Sequence, residues 1–125
     1  LLSGGSDSAI AIYDLQQQIH GNNNDDTDGN HRKRNNKSKH LIQPLVFMRK
    51  GEAHSAGVSA VQWYSIDTGM FFTGSFDNTV KVWDTNLLSE IMTFNMEHKV
   101  YCMSFSPVGI SHSVIAVGTA DQKGR

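Results

Sequence analysis

The chain has few of the features that would announce a chemistry. Its 125 residues hold one cysteine, Cys102, so no intrachain disulfide can form, and the absence of a disulfide framework fits a reducing, intracellular compartment. Cys102 lies in the alternating run Val100 to Phe105, where a buried, unreactive thiol is expected. No apolar stretch reaches the roughly eighteen residues that a membrane-spanning helix needs, and no membrane partner is expected. Neither sign of charge dominates. Eleven basic and 12 acidic residues leave a formal net charge of −1, so nucleic acid or an anionic surface could be bound only through a local patch. The opening Leu1-Leu2-Ser3-Gly4-Gly5 has no initiator Met, no basic start and no apolar signal segment, and the chain reads as a fragment.

Apolar residues are unevenly spread. Between Gln16 and Lys39 the only sizeable one is Ile19, so the core must come from the remaining hundred or so residues. The tract at 16–40 runs from an acidic half, with Asp25, Asp26 and Asp28, into a basic half, with Arg32, Lys33, Arg34, Lys37 and Lys39. Such a composition buries too little apolar area to offset the entropy of ordering, and a solvated, disordered loop is expected. The alternative is a nuclear-localisation or nucleic-acid contact patch, against which stands the lack of an interleaved aromatic for base stacking.

The organising stretch is FFTGSFDNTVKVWDT, Phe71 to Thr85. It reads as an antiparallel hairpin: the apolar pair Phe71 and Phe72, a turn through Gly74, Ser75, Phe76, Asp77 and Asn78, then alternating Val80 and Val82 before Trp83-Asp84. Leu1 to Leu15 lies over it without a gap at a shift of 70, with Ser3 on Thr73, Gly4 on Gly74, Asp7 on Asp77, Ile10 on Val80 and Tyr13 on Trp83. Ile115 to Asp121 lies over Phe71 to Asp77 at a shift of 44. A second register relates Val58, Val61 and Trp63 to Val100, Met103 and Phe105 at a shift of 42. A period near 40 to 45 residues with a Trp-Asp ending is the signature of WD repeats, in which each unit is a four-stranded blade. The first interval is longer by 70 − 44 = 26 residues, about the length of the polar tract, which is therefore an insertion in one loop.

The expected architecture is all-β, an incomplete WD40-type propeller over residues 1–125. Residues 1–15 and 41–50 form a first blade interrupted by the insertion, 54–95 a complete blade, and 98–125 the start of a third. The outer strands are expected at Leu45 to Met48, after Pro44, and at Glu90 to Phe94. Three partial blades cannot close a ring, which predicts poor stability for this segment alone.

His54, Thr73, Asp77 and Trp83 are expected to join in a structural hydrogen-bond set that pins the turn to its neighbouring strands. A His and an Asp could also suggest a catalytic pair, but no Ser or Cys nucleophile motif accompanies them, and the chain is not expected to be an enzyme. SGGSD and TGSFD lack the ending and spacing of phosphate-binding loops. The six histidines, at 20, 31, 40, 54, 98 and 112, lack the short spacings of zinc ligands, so no metal or cofactor is expected.

VQWYSIDTGMFFTGSFDNTVKVWDTN, Val61 to Asn86, resembles the corresponding blade of the Cockayne syndrome A family of WD-repeat proteins, as do LLSGGSD, YDL and HSVIAVGT. The Asp67-Thr68-Gly69-Met70 connection and the Asp-Thr-Asn after Trp83 are the more distinctive parts, and the resemblance spares only about residues 16 to 43. It implies a nuclear propeller that recognises substrates for a cullin–RING ubiquitin ligase in transcription-coupled nucleotide excision repair. It also implies damaged-DNA-binding protein 1 as adaptor and the repair machinery at stalled RNA polymerase II as partner. One departure bears on the adaptor: the Arg that adaptor-binding members place two residues after Trp-Asp is replaced here by Asn86, and after Tyr13-Asp14 stands Gln16. The reading from the residues alone is broader, a WD scaffold of another signalling or chromatin complex.

Overall fold

The computed structural model describes residues 1–15, 43–106 and 114–120. These form nine strands: β1 Leu2–Gly4, β2 Ile10–Ile12, β3 Val46–Met48, β4 Val58–Trp63, β5 Met70–Ser75, β6 Thr79–Asp84, β7 Glu90–Asn95, β8 Val100–Phe105 and β9 Ile115–Thr119. Every pairing is antiparallel between sequence neighbours, giving sheets β1-β2-β3, β4-β5-β6-β7 and β8-β9. No helix occurs among the described residues. Ile12 and Val46 are register partners although the whole polar tract separates them in sequence, so that tract leaves and rejoins one hairpin. In the second sheet residues 85–89 make the same connection. There the Asp84 carboxylate accepts the Asn86 and Leu87 amides at 2.8 Å each.

The repeat is visible in the pairing. Leu2↔Ile12 and Gly4↔Ile10 in the first sheet become Phe72↔Val82 and Gly74↔Val80 in the second, so the hairpin register is the same in both. Because side chains alternate across a strand, Ile10 and Ile12 face the second sheet. There they meet Phe71 and Trp83 in a core completed by Ala53 and Val58. Phe71 is fully buried, stacked on Trp83 at 6.1 Å between centroids and met edge-on by Trp63 at 5.8 Å.

Sheets approach closely because of two glycines. A Cβ on Gly4 would stand 2.5 Å from Val58 Cγ1, and one on Gly74 would stand 2.6 Å from Val100 Cγ1. The Val of each following sheet thus seats on the bare backbone of the sheet before it. The spacing shared by Val58, Val61 and Val100, Met103, three residues rather than two, has its cause here. Each innermost strand carries a bulge, between Val58 and Ala60 and between Val100 and Cys102, which resets the side-chain alternation.

Two expectations are corrected. Gly74 and Ser75 belong to β5 rather than to the turn, which is confined to 76–78. Gly74 is a socket for Val100, and Ser75 is fully buried, its hydroxyl directed to the Ala56 and Gly57 carbonyls at 3.1 and 2.9 Å. Cys102 is exposed rather than buried. The bulge gives Met103, not Cys102, the face it shares with Val100, and the thiol leans over Gly118 instead.

Candidate functional site

Four polar or amphipathic side chains from four elements converge inside the second sheet. His54 comes from the loop before β4, Thr73 from β5, Asp77 from the tight turn and Trp83 from β6. Asp77 begins the turn as an Asx residue, its Oδ1 accepting the Thr79 amide at 3.0 Å, while Asn78 takes the left-handed φ of 66° that asparagine tolerates. Ser8, at the equivalent place in the first sheet, has φ 68°.

The protons can be assigned by elimination. Trp83 Nε1–H is only a donor, and it donates to Thr73 Oγ1 at 2.9 Å. Asp77 as a carboxylate only accepts, so His54 Nδ1 carries the hydrogen at 2.9 Å from Oδ2. His54 Nε2 is then a bare lone pair, and it accepts the Thr73 hydroxyl at 2.7 Å. Thr79 Oγ1 donates to Asp77 Oδ1 at 2.5 Å, and the Ser55 amide donates to Oδ2 at 3.1 Å. Among the described residues no buried side-chain donor or acceptor is left without a partner.

This closed circuit is suited to holding a turn, not to chemistry. Thr73 is fully buried and His54 is 2% exposed, so no substrate carbonyl can approach the hydroxyl. Thr79 and the Ser55 amide were not foreseen as members. The Asp-x-Thr spacing of Asp77 and Thr79 is the signal that could have found the first.

Burial pushes the His54 pKa below its ordinary 6.5, with the Asp77 hydrogen bond opposing it only in part. For Asp77, burial pushes upward, but hydrogen bonds from Thr79 and His54 outweigh it and hold the carboxyl below 3.8. Both groups therefore bind fewer protons folded than unfolded. Their stabilising contribution is complete above pH 6.5 and declines as the pH falls below it, first through His54 and then, under pH 3.8, through Asp77. The limiting slope is about 1.4 kcal/mol per pH unit for each titrating group. Denaturant midpoints measured from pH 8 to pH 4 are expected to fall, and His54→Gln is expected to flatten the decline that sets in below pH 6.5. A wild-type midpoint that is level across that range would contradict the neutral-His54 assignment.

The basic patch Arg32, Lys33, Arg34, Lys37 and Lys39 lies outside the described residues. Among the described residues no group of three or more His, Cys, Asp or Glu is arranged to hold a metal, and no helix is long and apolar enough to cross a membrane. What the described fold offers to the outside is two rims of loops. One is made by the turn 76–78 and the segments before β4 and β8. The other is made by loops 64–69 and 85–89, tied together by Thr85 N to Gly69 O at 2.9 Å and Thr85 Oγ1 to Thr68 O at 3.0 Å.

The four-stranded antiparallel sheet β4-β5-β6-β7, whose third strand ends in Trp83-Asp84, is a WD40-type blade, and residues 45–84 match the WD40 family, described as WD domain, G-beta repeat. Among curated proteins the chain is 38% identical over 121 residues to WD repeat-containing protein ATCSA-1 of Arabidopsis thaliana, covering 97% of this chain and 25% of that protein. It is 40% identical over 68 residues to Radiation-sensitive protein 28 of Saccharomyces cerevisiae, covering 54% of this chain and 13% of that one. It is 34% identical over 70 residues to E3 ubiquitin-protein ligase COP1 of Pisum sativum, covering 56% and 10%. The chain thus spans a quarter or less of these relatives' lengths. A chain in a crystal structure of the mitotic checkpoint complex superposes with a TM-score of 0.57 at 19% identity, over 85% of this chain and 25% of that one, a likeness of fold.

Proposed function

We propose that this chain supplies early blades of a Cockayne syndrome A-like receptor: a non-catalytic interaction module that presents loops on a rigid propeller so that other subunits of a cullin–RING ligase can transfer ubiquitin to a bound substrate. On this reading it acts in the nucleus, in transcription-coupled nucleotide excision repair, with damaged-DNA-binding protein 1 as adaptor. The observation that carries the reading is the match to ATCSA-1 along nearly the whole chain, together with the blade Val61 to Asn86. The names of the yeast and pea relatives, one radiation-sensitive and one an E3 ubiquitin ligase, support it. The sealed state of the His54 circuit supports a module without chemistry of its own.

A second reading, a WD scaffold of another complex, is favoured by the spread of relatives, which includes a mitotic checkpoint protein and an mRNA export factor. Asn86, where adaptor-binding members carry Arg, points the same way. Affinity purification of the intact protein from nuclear extract decides between them. Recovery of damaged-DNA-binding protein 1 and a cullin is the expected result, and a folded bait that recovers neither leaves the scaffold reading.

A further inference from the structure

We propose that the outer edge of β7 takes an extended segment of a partner protein as a fifth strand of the second sheet, a segment with aliphatic residues at its centre and a lysine or arginine toward each end. This rests on the interaction-module reading and names a contact surface within it, on the edge of the sheet rather than on the loop rims. β7 is an end strand, and among the described residues its only strand partner is β6. Met96 N donates to Asn78 O at 2.7 Å, in the same register that pairs Val80 with Phe94 and Val82 with Met92. Antiparallel ladders alternate, so Met92 and Phe94 spend their amides and carbonyls on β6, while those of Thr93 and Asn95 point outward, spaced to receive one more strand.

The repeat provides its own control. In the first sheet the same place is held by β3, three residues long, with Pro44 ahead of it and Arg49 and Lys50 behind. A short strand, a proline and cations are the devices that keep a sheet edge from pairing with another chain. β7 has none of them within its span. It is six residues long, holds no proline, lysine or arginine, and leaves Ile91, Met92 and Phe94 each about half exposed. Its one irregularity lies at the Glu90 end, so Met92 to Asn95 is regular strand. The two faces ask for different neighbours. Phe94 and Met96 line an apolar groove with Phe72 and Val80, whereas Thr93 is the register partner of Lys81 and donates its hydroxyl to Glu90 Oε1. A strand that matches both faces alternates aliphatic with hydroxyl-bearing residues.

Charge selects the partner. Glu90 and Glu97 stand exposed at the two ends of the edge. Lys81 meets Glu90 from inside the sheet with its side chain 18% exposed, and Lys99 leads into β8 of the next sheet. A second copy of this chain is disfavoured as the added strand. Pairing β7 with itself about Thr93 sets Glu97 of one copy against Ser89 of the other, and pairing about Phe94 sets it against Ile91. In both registers Glu97 lies within one residue of Glu90 of the other copy, and like charges across a ladder repel. A segment with a cation toward each end meets both carboxylates instead.

The test uses the intact protein and two labelled ten-residue peptides that share a centre of three valine–threonine repeats, one with two arginines at each end and the other with two glutamates. The arginine peptide is expected to bind and to slow amide hydrogen exchange at Thr93 and Asn95 by about tenfold or more, with Met92 and Phe94 protected even without it. The glutamate peptide is expected to bind about tenfold more weakly. Asn95→Pro removes an outward amide that makes no ladder bond and is expected to weaken the arginine peptide by about tenfold, whereas Asn95→Ala keeps that amide and binds as wild type does. No binding by the wild type, unchanged exchange at Thr93 and Asn95 on binding, equal binding by the two Asn95 variants, or a glutamate peptide that binds as well as the arginine one overturns the proposal. Concentration-dependent dimerisation that protects the same two amides overturns it too, since the edge then belongs to a second copy. Should Asn95→Pro fail to fold, the wild-type exchange map decides by itself. Adaptor recovery is scored separately. Binding at β7 with no adaptor recovered refutes the ligase reading alone, and adaptor recovered with no binding at β7 refutes this one.

Discussion

Trp83→Ala is expected to destabilise the intact protein by about 3–5 kcal/mol, the range for emptying a well-packed aromatic site. Trp83 is 4% exposed, stacks on Phe71, and carries Lys81 Nζ at 5.7 Å from its ring centroid on the way to the Lys81–Glu90 ion pair. Its removal opens the core where the first two sheets meet and takes away the donor that fixes the Thr73 hydroxyl. Trp83→Phe separates the two effects. It keeps most of the ring area and loses only the N–H, for an expected cost of about 1–2 kcal/mol, since Thr73 still donates to His54. Denaturant titration of both variants reads the difference. Equal losses would mean that the hydrogen bond, not the aromatic packing, carries the site.

Gly74→Val is expected to cost about 3 kcal/mol, at or above the upper end for overpacking a closed contact. The added Cβ alone would meet Val100 Cγ1 at 2.6 Å, Met103 Sδ at 3.2 Å and Val100 Cβ at 3.4 Å. The methionine end can move, but the β-branched valine has little rotamer freedom, so the third sheet must shift away from the second. Pairing Gly74→Val with Val100→Ala is the check. If the sheet contact is the cause, the double variant recovers part of the loss; additive losses would place the strain elsewhere. The same argument applies at Gly4, where Val58 Cγ1 and Val61 Cγ1 stand 2.5 and 2.8 Å from the missing Cβ.

The lock and the rim connect structure to the proposed use. Holding Asp77 by three partners fixes the 76–78 turn. The residues that most resemble a catalytic set are the ones sealed away. The short connection at 85–89 works the same way: Asp84 caps it internally and leaves Leu87 77% exposed.

Strand positions were legible because they rest on local physics. The spacing of Val58, Val61 and Trp63 shared with Val100, Met103 and Phe105, alternation in Thr79 to Asp84, turn chemistry at Asp77 and Asn78, and the repeat itself are all readable within a few residues or by sliding the chain against itself. The outer strand after Pro44, expected at Leu45 to Met48 and found at Val46–Met48, likewise follows from pattern, while its register with Ile12 comes from the structure. By itself, then, the sequence determined the repeat, the antiparallel hairpins and which polar residues belong to one blade. What only the tertiary structure decided depends on partners far apart in the chain. Gly74 looks like a turn glycine until Val100, from the next sheet, occupies the space its side chain would need. Cys102 looks inward-facing until a bulge turns the strand, and Phe76 looks like part of a hairpin until Tyr101 stands beside it in solvent. Each outcome is set by how one sheet seats on the next, a contact between surfaces for which a single blade's sequence carries no local signal.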